Sequence, residues 1–341
     1  MKRSDLIHNT TTYWLTQFGL FFVENNEFIK IANQNKRIEY IKKPKHKIES
    51  FYIVQNGSLS EVNSGNLLYI DKNLNKNLKI KIGNSRIINH IDNNLFRFTE
   101  KIKRKVLKNG ICDGSGKILW SFEESVRRRG WDTELMIYSK YLDNKEIFKR
   151  DILNGATIWT FNVSEISKYS DHEGEHPGEI QGKIRLWNNY LLLPLTGNKL
   201  IALDYTTGKI IWETMAMFGN YEIYNNQIVY FYEGRLLEID PSNGQTTRDI
   251  NLEQYLKKEQ GIDRISGFKI ENDRIYFTDY RKFKIGILDY KSLKLIDLIT
   301  IEHSDNAWQI GDLQVQNRKI YVLEYLENND RNLHIYEDDT L

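Results

Sequence analysis

The sequence predicts an all-β chain built from a four-stranded unit repeated about eight times. Three observations carry that prediction. The 20 Tyr, 15 Phe and 7 Trp suit the pleated, half-buried surface of a sheet. Short apolar runs are broken by Asn, Asp and Gly pairs, among them Asn25-Asn26, Asn93-Asn94, Asn188-Asn189 and Asn225-Asn226, which signal hairpins. The same order of strands and turns then recurs along the chain. Amphipathic helical runs are almost absent; the two short candidates are residues 252–258 and 165–169.

Taken in order, the first unit spans 11–43 and turns into its fourth strand near Asn33. The second spans 48–82 with its turn at Asp71, the third 86–122 with Asp113, and the fourth 131–163 with Asn154. The fifth, 181–214, is the clearest: KIRLW, YLLLPL, KLIALD and KIIWE read as four strands, the last turn running from Asp204 to Gly208. The sixth spans 220–250 with Asp240, the seventh 264–301 with Asp289, and the eighth 306–341 with Glu337. Eight such turns in 341 residues give a spacing of roughly 43, the range of a four-stranded blade. The expected architecture is a single-domain, eight-bladed β-propeller, with seven blades as the alternative. Strands such as YLLLPL need not alternate, because both faces of a blade are covered by its neighbours. The eighth unit stops just inside its last turn and lacks a fourth strand. Residues 4–8 are a spare segment before the first unit, and they are expected to complete the last blade and cover its edge.

The segment ALDYTTGKIIWE (202–213) resembles the repeat of the PQQ-type, quinoprotein-like propellers. Ala202, Asp204, Gly208, Lys209 and Trp212 match its A-x-D-x-x-x-G-K-x-x-W pattern. Partial copies are Asp113, Gly116, Lys117 and Trp120, and Gly155 with Trp159. In each copy the Trp follows the Gly by four. These residues have structural roles. Gly208 can take positive φ in a tight turn, Asp204 can accept from the turn's amides, and Trp120, Trp159 and Trp212 can fill the wedge between blades. The resemblance implies the fold; it does not carry the chemistry. Quinoprotein enzymes of this family hold the quinone over Ca²⁺, many against a disulfide of adjacent cysteines. This sequence has one cysteine, Cys112, and shows no such ligand set. No cofactor is expected.

The other classes are narrowed by composition. Lys+Arg 48 against Asp+Glu 46 gives a net charge of +2, too even for a chain built mainly to bind nucleic acid. Three basic runs, at Lys42–Lys47, Lys101–Lys105 and Arg127–Arg129, read as solvated turns, and only Trp131 supplies a nearby aromatic. The start, MKRSDLIHNTTTYW, has no apolar signal region, and no apolar run approaches the ~18 residues of a membrane span. A cytoplasmic location is expected. The segment His172-Glu173-Gly174-Glu175-His176 matches H-E-x-x-H, which binds zinc when a helix puts both histidines on one face. Here Gly174 sits at its centre and Pro177 follows it, which disfavours a helix. His172 and His176 are therefore a weak metal candidate, and no metal and no catalytic residue are expected.

Loop length is the remaining functional signal. The turns into the fourth strands are short and alike, whereas the connections between units, at 123–130, 164–182, 251–262 and 302–306, are long and unlike one another. Irregular charged loops on a rigid scaffold are where binding concentrates. The expected partner-binding residues are Arg127, Arg128, Arg129 and Trp131 from the basic connection, and Asp171, Glu173, Glu175 and Glu179 from the acidic one. The sequence thus points to a non-enzymatic, protein-binding propeller, monomeric when unbound. An immunity or antitoxin-type protein that occludes a toxin domain would fit. The competing readings are a propeller enzyme (hydrolase, lyase or oxidoreductase) and a ligand-sensing propeller.

Overall fold

The structure is a computed structural model. It describes the chain apart from residues 9, 17–18, 25–26, 33–35, 40–50, 54–58, 64–65, 71–75, 82–85, 93–94, 104–105, 124–125, 129–136, 141–144, 218, 263–264 and 341. Among the described residues the strands form eight four-stranded antiparallel sheets and one two-stranded hairpin. In chain order the first seven sheets cover residues 10–39, 51–81, 86–123, 126–162, 185–215, 221–251 and 265–300, each a simple meander. They are numbered sheets 1 to 7 below. Sheet 8 takes three strands from residues 307–337, and its fourth is Lys2–Ile7. That strand pairs antiparallel with Arg331–Glu337, from Lys2 opposite Glu337 to Ile7 opposite Leu333. The N-terminal segment therefore covers the edge as expected, starting at Lys2 rather than residue 4.

The chain divides into two compact units. One comprises residues 44–218 and 241–244, and the other residues 1–43, 219–240 and 245–341. The first unit packs around Ile137, Ile147, Trp159, Ile184, Leu191, Leu193, Ile201 and Leu203. Leu191 to Leu193 are all fully buried, so both faces of that strand are covered. The tryptophans of the repeat act here as bridges between sheets. The indole N–H of Trp120 donates to Ile152 O at 2.7 Å, that of Trp159 to Tyr205 O at 3.0 Å, and that of Trp212 to Pro241 O at 2.9 Å. Each ring lies on the glycine of the turn it reaches. At Gly208 (φ +73°) a Cβ would stand 2.7 Å from the Trp159 ring, and Gly155 and Gly244 are in the same position under Trp120 and Trp212. The turn itself is held by Asp204, whose Oδ1 accepts from the amides of Thr206 and Thr207 at 3.0 and 2.7 Å.

In the second unit the bridge persists with different chemistry. Arg248 stands four residues after Gly244, where a Trp would be. Its guanidinium donates to Tyr290 O and Lys291 O at 3.0 and 2.7 Å. Beneath it the glycine position is Leu293, which adopts φ +58°. Among the described residues of this unit, apolar clusters centre on Phe231, Phe268 and Phe277, on Ile285, Ile310 and Tyr336, and on Phe22, Leu323 and Leu333. Sheet 8 also buries a polar group. Glu324 accepts from Asn332 Nδ2 at 2.7 Å and lies 3.1 Å from His334 Nε2, with Glu324 and His334 each 1% exposed.

The structure corrects four readings of the sequence. The fourth sheet begins at Val126–Arg128, so Arg127 and Arg128 lie in a first strand and not in a connection. A short apolar-poor strand carries no periodic signal. The turn of that sheet is organised by Asp151, which accepts from the amides of Leu153 and Asn154; Asn154 is the turn's inner residue. Of the two helical candidates, one shortens to a π-helical turn at Tyr255–Glu259. The other is a three-residue turn ending at Ile166, whose amide donates to Val163 O at 3.0 Å.

Candidate functional site

The acidic connection, 163–184, leaves the end of strand Thr157–Asn162 and returns at Arg185–Trp187. Its base is fastened to the end of sheet 5. Val163 and Ile180 are buried in the core, while Thr196 N donates to Glu179 O and Gln181 N to Pro194 O, both at 2.8 Å. Thr196 Oγ1 accepts from Glu179 N at 2.9 Å, and Lys199 Nζ donates to Ile166 O at 2.8 Å. Ser167 Oγ donates to Thr196 O. Above this base, Tyr169–Asp171 and Gly174–His176 pair as an exposed hairpin.

The hairpin is mostly exposed, and its own side chains fix it. Asp171 Oδ1 accepts from Glu173 N at 2.8 Å and lies 2.8 Å from His176 Nε2. The His176 ring stacks on Tyr169, with centroids 5.0 Å apart. Lys168 and Glu175 form an ion pair at 3.2 Å. The Glu173 amide, then His176, hold the Asp171 carboxyl below the usual carboxylate range. Glu175 in turn raises the Lys168 ammonium.

Of the residues expected to bind a partner, Asp171, Glu173 and Glu175 therefore come together on this hairpin, and Glu179 lies at its base. Arg127 and Arg128 lie in strand Val126–Arg128, and Arg129 and Trp131 fall outside the described residues. The H-E-x-x-H segment is hairpin, so the spacing that aligns two histidines on a helix does not apply. His172 sits in the hairpin's turn, 87% exposed and 3.8 Å from Glu173, while His176 faces Asp171. Among the described residues no group of three or more His, Cys, Asp or Glu is placed to hold a metal ion.

A second feature, with no sequence signal of its own, lies within the other unit. Between sheets 7 and 8 a cleft of about 350 Å³ is lined by Tyr280, Gln309, Ile310, Gly311, Asp312 and Tyr325. It opens where the turn after strand Arg274–Asp279 meets the start of strand Ala307–Gln316. That strand bulges between Gly311 and Gln314, and Asp312 takes φ +49°. Two tyrosines hold the bulge: Tyr325 donates to Asp312 Oδ2 at 2.6 Å, and Tyr13 donates to Asp312 O. Burial, then the Asp312 carboxylate, push the Tyr325 phenol well above its ordinary value.

No protein-family model and no curated protein sequence matches the chain. Solved structures do. The structure of BamB from Moraxella catarrhalis aligns over 98% of this chain and 99% of its own, at 13% identity and a TM-score of 0.61. The C-terminal WD40 domain of Sif2 aligns over 99% and 98%, at 14% identity and 0.60. The computationally designed Ika8 protein aligns over 99% and 98%, at 10% identity and 0.62. At such low identity the likeness shows the fold alone, and that fold is an all-β propeller.

Proposed function

We propose that this chain is a non-enzymatic binding scaffold that holds a partner protein on its acidic hairpin. The observation that supports this is a solvent-exposed hairpin whose own side chains fix it. Asp171, Glu173, Glu175 and His176 are ordered by one another and by the base at Thr196, so little conformational entropy is lost when they meet a partner. A partner bearing a basic patch is the complement. In its finer form, the chain is a PQQ-type propeller of the bacterial cytoplasm, monomeric until it occludes a toxin domain as an immunity protein does. The repeat at 202–213 supports the PQQ-type kinship, and a single, buried Cys112 suits a reducing compartment.

The test is to isolate the partner with the tagged chain and then follow binding kinetics. Glu173→Gln with Glu175→Gln should slow association several-fold and flatten its salt dependence, with the melting temperature unchanged. Asp171 is less informative, since it also holds the hairpin. Replacing Arg127, Arg128, Arg129 and Trp131 by Ala asks whether the basic run shares the contact, and under the proposal this set also weakens binding. Association by the Glu173/Glu175 variant at the wild-type rate and salt dependence would remove the hairpin from the interface.

A further inference from the structure

We propose that the cleft between sheets 7 and 8 is a saccharide-binding site that takes a neutral pyranose ring. The lining groups set the class of ligand. Trp308 precedes the lining residue Gln309 and is 54% exposed, with its ring tilted at 6.0 Å to that of Tyr325, which lines the cleft. A large aromatic this exposed offers a flat platform, and the negative face of an aromatic ring attracts the C–H face of a sugar. Tyr280 and Tyr325 add two more rings. The polar groups are of both kinds: Asp312 offers a carboxylate, and Gln309 an amide that donates and accepts.

Charge selects among ligands. Arg281 stacks on Tyr280 at 5.5 Å and Arg331 on Tyr325 at 5.1 Å, so a cationic ligand would meet two guanidinium groups. An anionic ligand would meet Asp312, which forms no ion pair with any cation of the described residues and has only Oδ2 engaged, by Tyr325. A neutral polyol uses both, its hydroxyls donating to the carboxylate and accepting from amide or guanidinium. The site is also built in advance. Asp312 is held in left-handed backbone by the hydroxyls of Tyr13 and Tyr325. At Gly311 a Cβ would come within 3.3 Å of the Tyr325 ring, so glycine leaves the floor of the cleft clear. About 350 Å³ is within the ~300–1,000 Å³ of ordinary ligand sites.

The experiment follows the Trp308 indole ¹H–¹⁵N resonance of the full chain, assigned with Trp308→Phe. Methyl glucoside, galactoside, mannoside and N-acetylglucosaminide are titrated, then their oligomers. At least one sugar should shift the resonance saturably. Response to a monosaccharide identifies a free sugar as the ligand, and response to oligomers alone identifies the end of a glycan. Asp312→Asn, followed by the same resonance, and Trp308→Ala, followed by titration calorimetry, should each weaken binding about tenfold or more. Trp308 is exposed, so its variant should melt with the wild type and report on binding alone. If no sugar moves the resonance at tens of millimolar, the proposal fails. It fails equally if binding survives both substitutions, or if a basic peptide binds the cleft in preference to every sugar.

Discussion

At the scale of single residues, the tryptophan bridges make the strongest stability prediction. Trp159→Ala removes a buried ring and the hydrogen bond to Tyr205 O together, and should cost about 3–5 kcal/mol in chemical denaturation. Gly208→Ala should cost about 2 kcal/mol or more, from left-handed backbone plus a methyl driven into the Trp159 ring. The buried carboxylate of sheet 8 makes a prediction in pH. Burial raises Glu324, but hydrogen bonds from His334, the Ser304 amide and Asn332 outweigh it and set the group at about 2, below its ordinary 4.5. A depressed folded value contributes stability above the unfolded value and loses it as pH falls toward the folded one. The wild type should therefore lose stability between about pH 5 and 2 more steeply than Glu324→Gln, as measured by denaturation across that range. These residues were unequally legible. Gly208 and Trp212 could be read because the spacing recurs three times. Arg248 could not, since a guanidinium reaches the same turn carbonyls without resembling an indole, and Leu293 hides a position that elsewhere is glycine. Glu324, Asn332 and His334 read as ordinary alternating strand residues.

At the scale of elements, strand Lys2–Ile7 covers the edge of Arg331–Glu337. Deleting residues 1–8 should lower the melting temperature by several degrees and produce concentration-dependent association through the bared edge, visible by light scattering. The strand pattern was legible because Asn-Asn and Asn-Asp turns force hairpins: Asn225 and Asn226, and Asn272 and Asp273, all adopt positive φ. What escaped is short or assembled from distant parts. Val126–Arg128 has no apolar alternation to announce it. The hairpin at Tyr169–His176 is made by Asp171 meeting His176 and by Tyr169 stacking on it, so its order lies in side-chain contacts within a sequence that reads as loop. The cleft draws Tyr280, Asp312 and Tyr325 from two sheets and three segments, and pattern in one segment cannot show what faces it from another.

At the scale of the whole molecule, pairing of the first strand with the last brings Lys2 directly opposite Glu337. The two ends can then be joined by a short Gly/Ser linker, and the chain reopened at the exposed turn before Gly174. Such a permutant should fold with a melting temperature within a few degrees of the parent, because exposed loop tips tolerate new termini. The same pairing governs how the protein is made. Strand Lys2–Ile7 leaves the ribosome long before its partner Arg331–Glu337 is translated. Until then that strand waits for its partner, and sheets 1 to 7 can form without it. Pairing of these two strands is thus a late event, limited by bringing together segments far apart in sequence. A ribosome stalled near residue 330 should hold a nascent chain whose strand Lys2–Ile7 is still open to protease, and that strand should become protected once Arg331–Glu337 has cleared the ribosome.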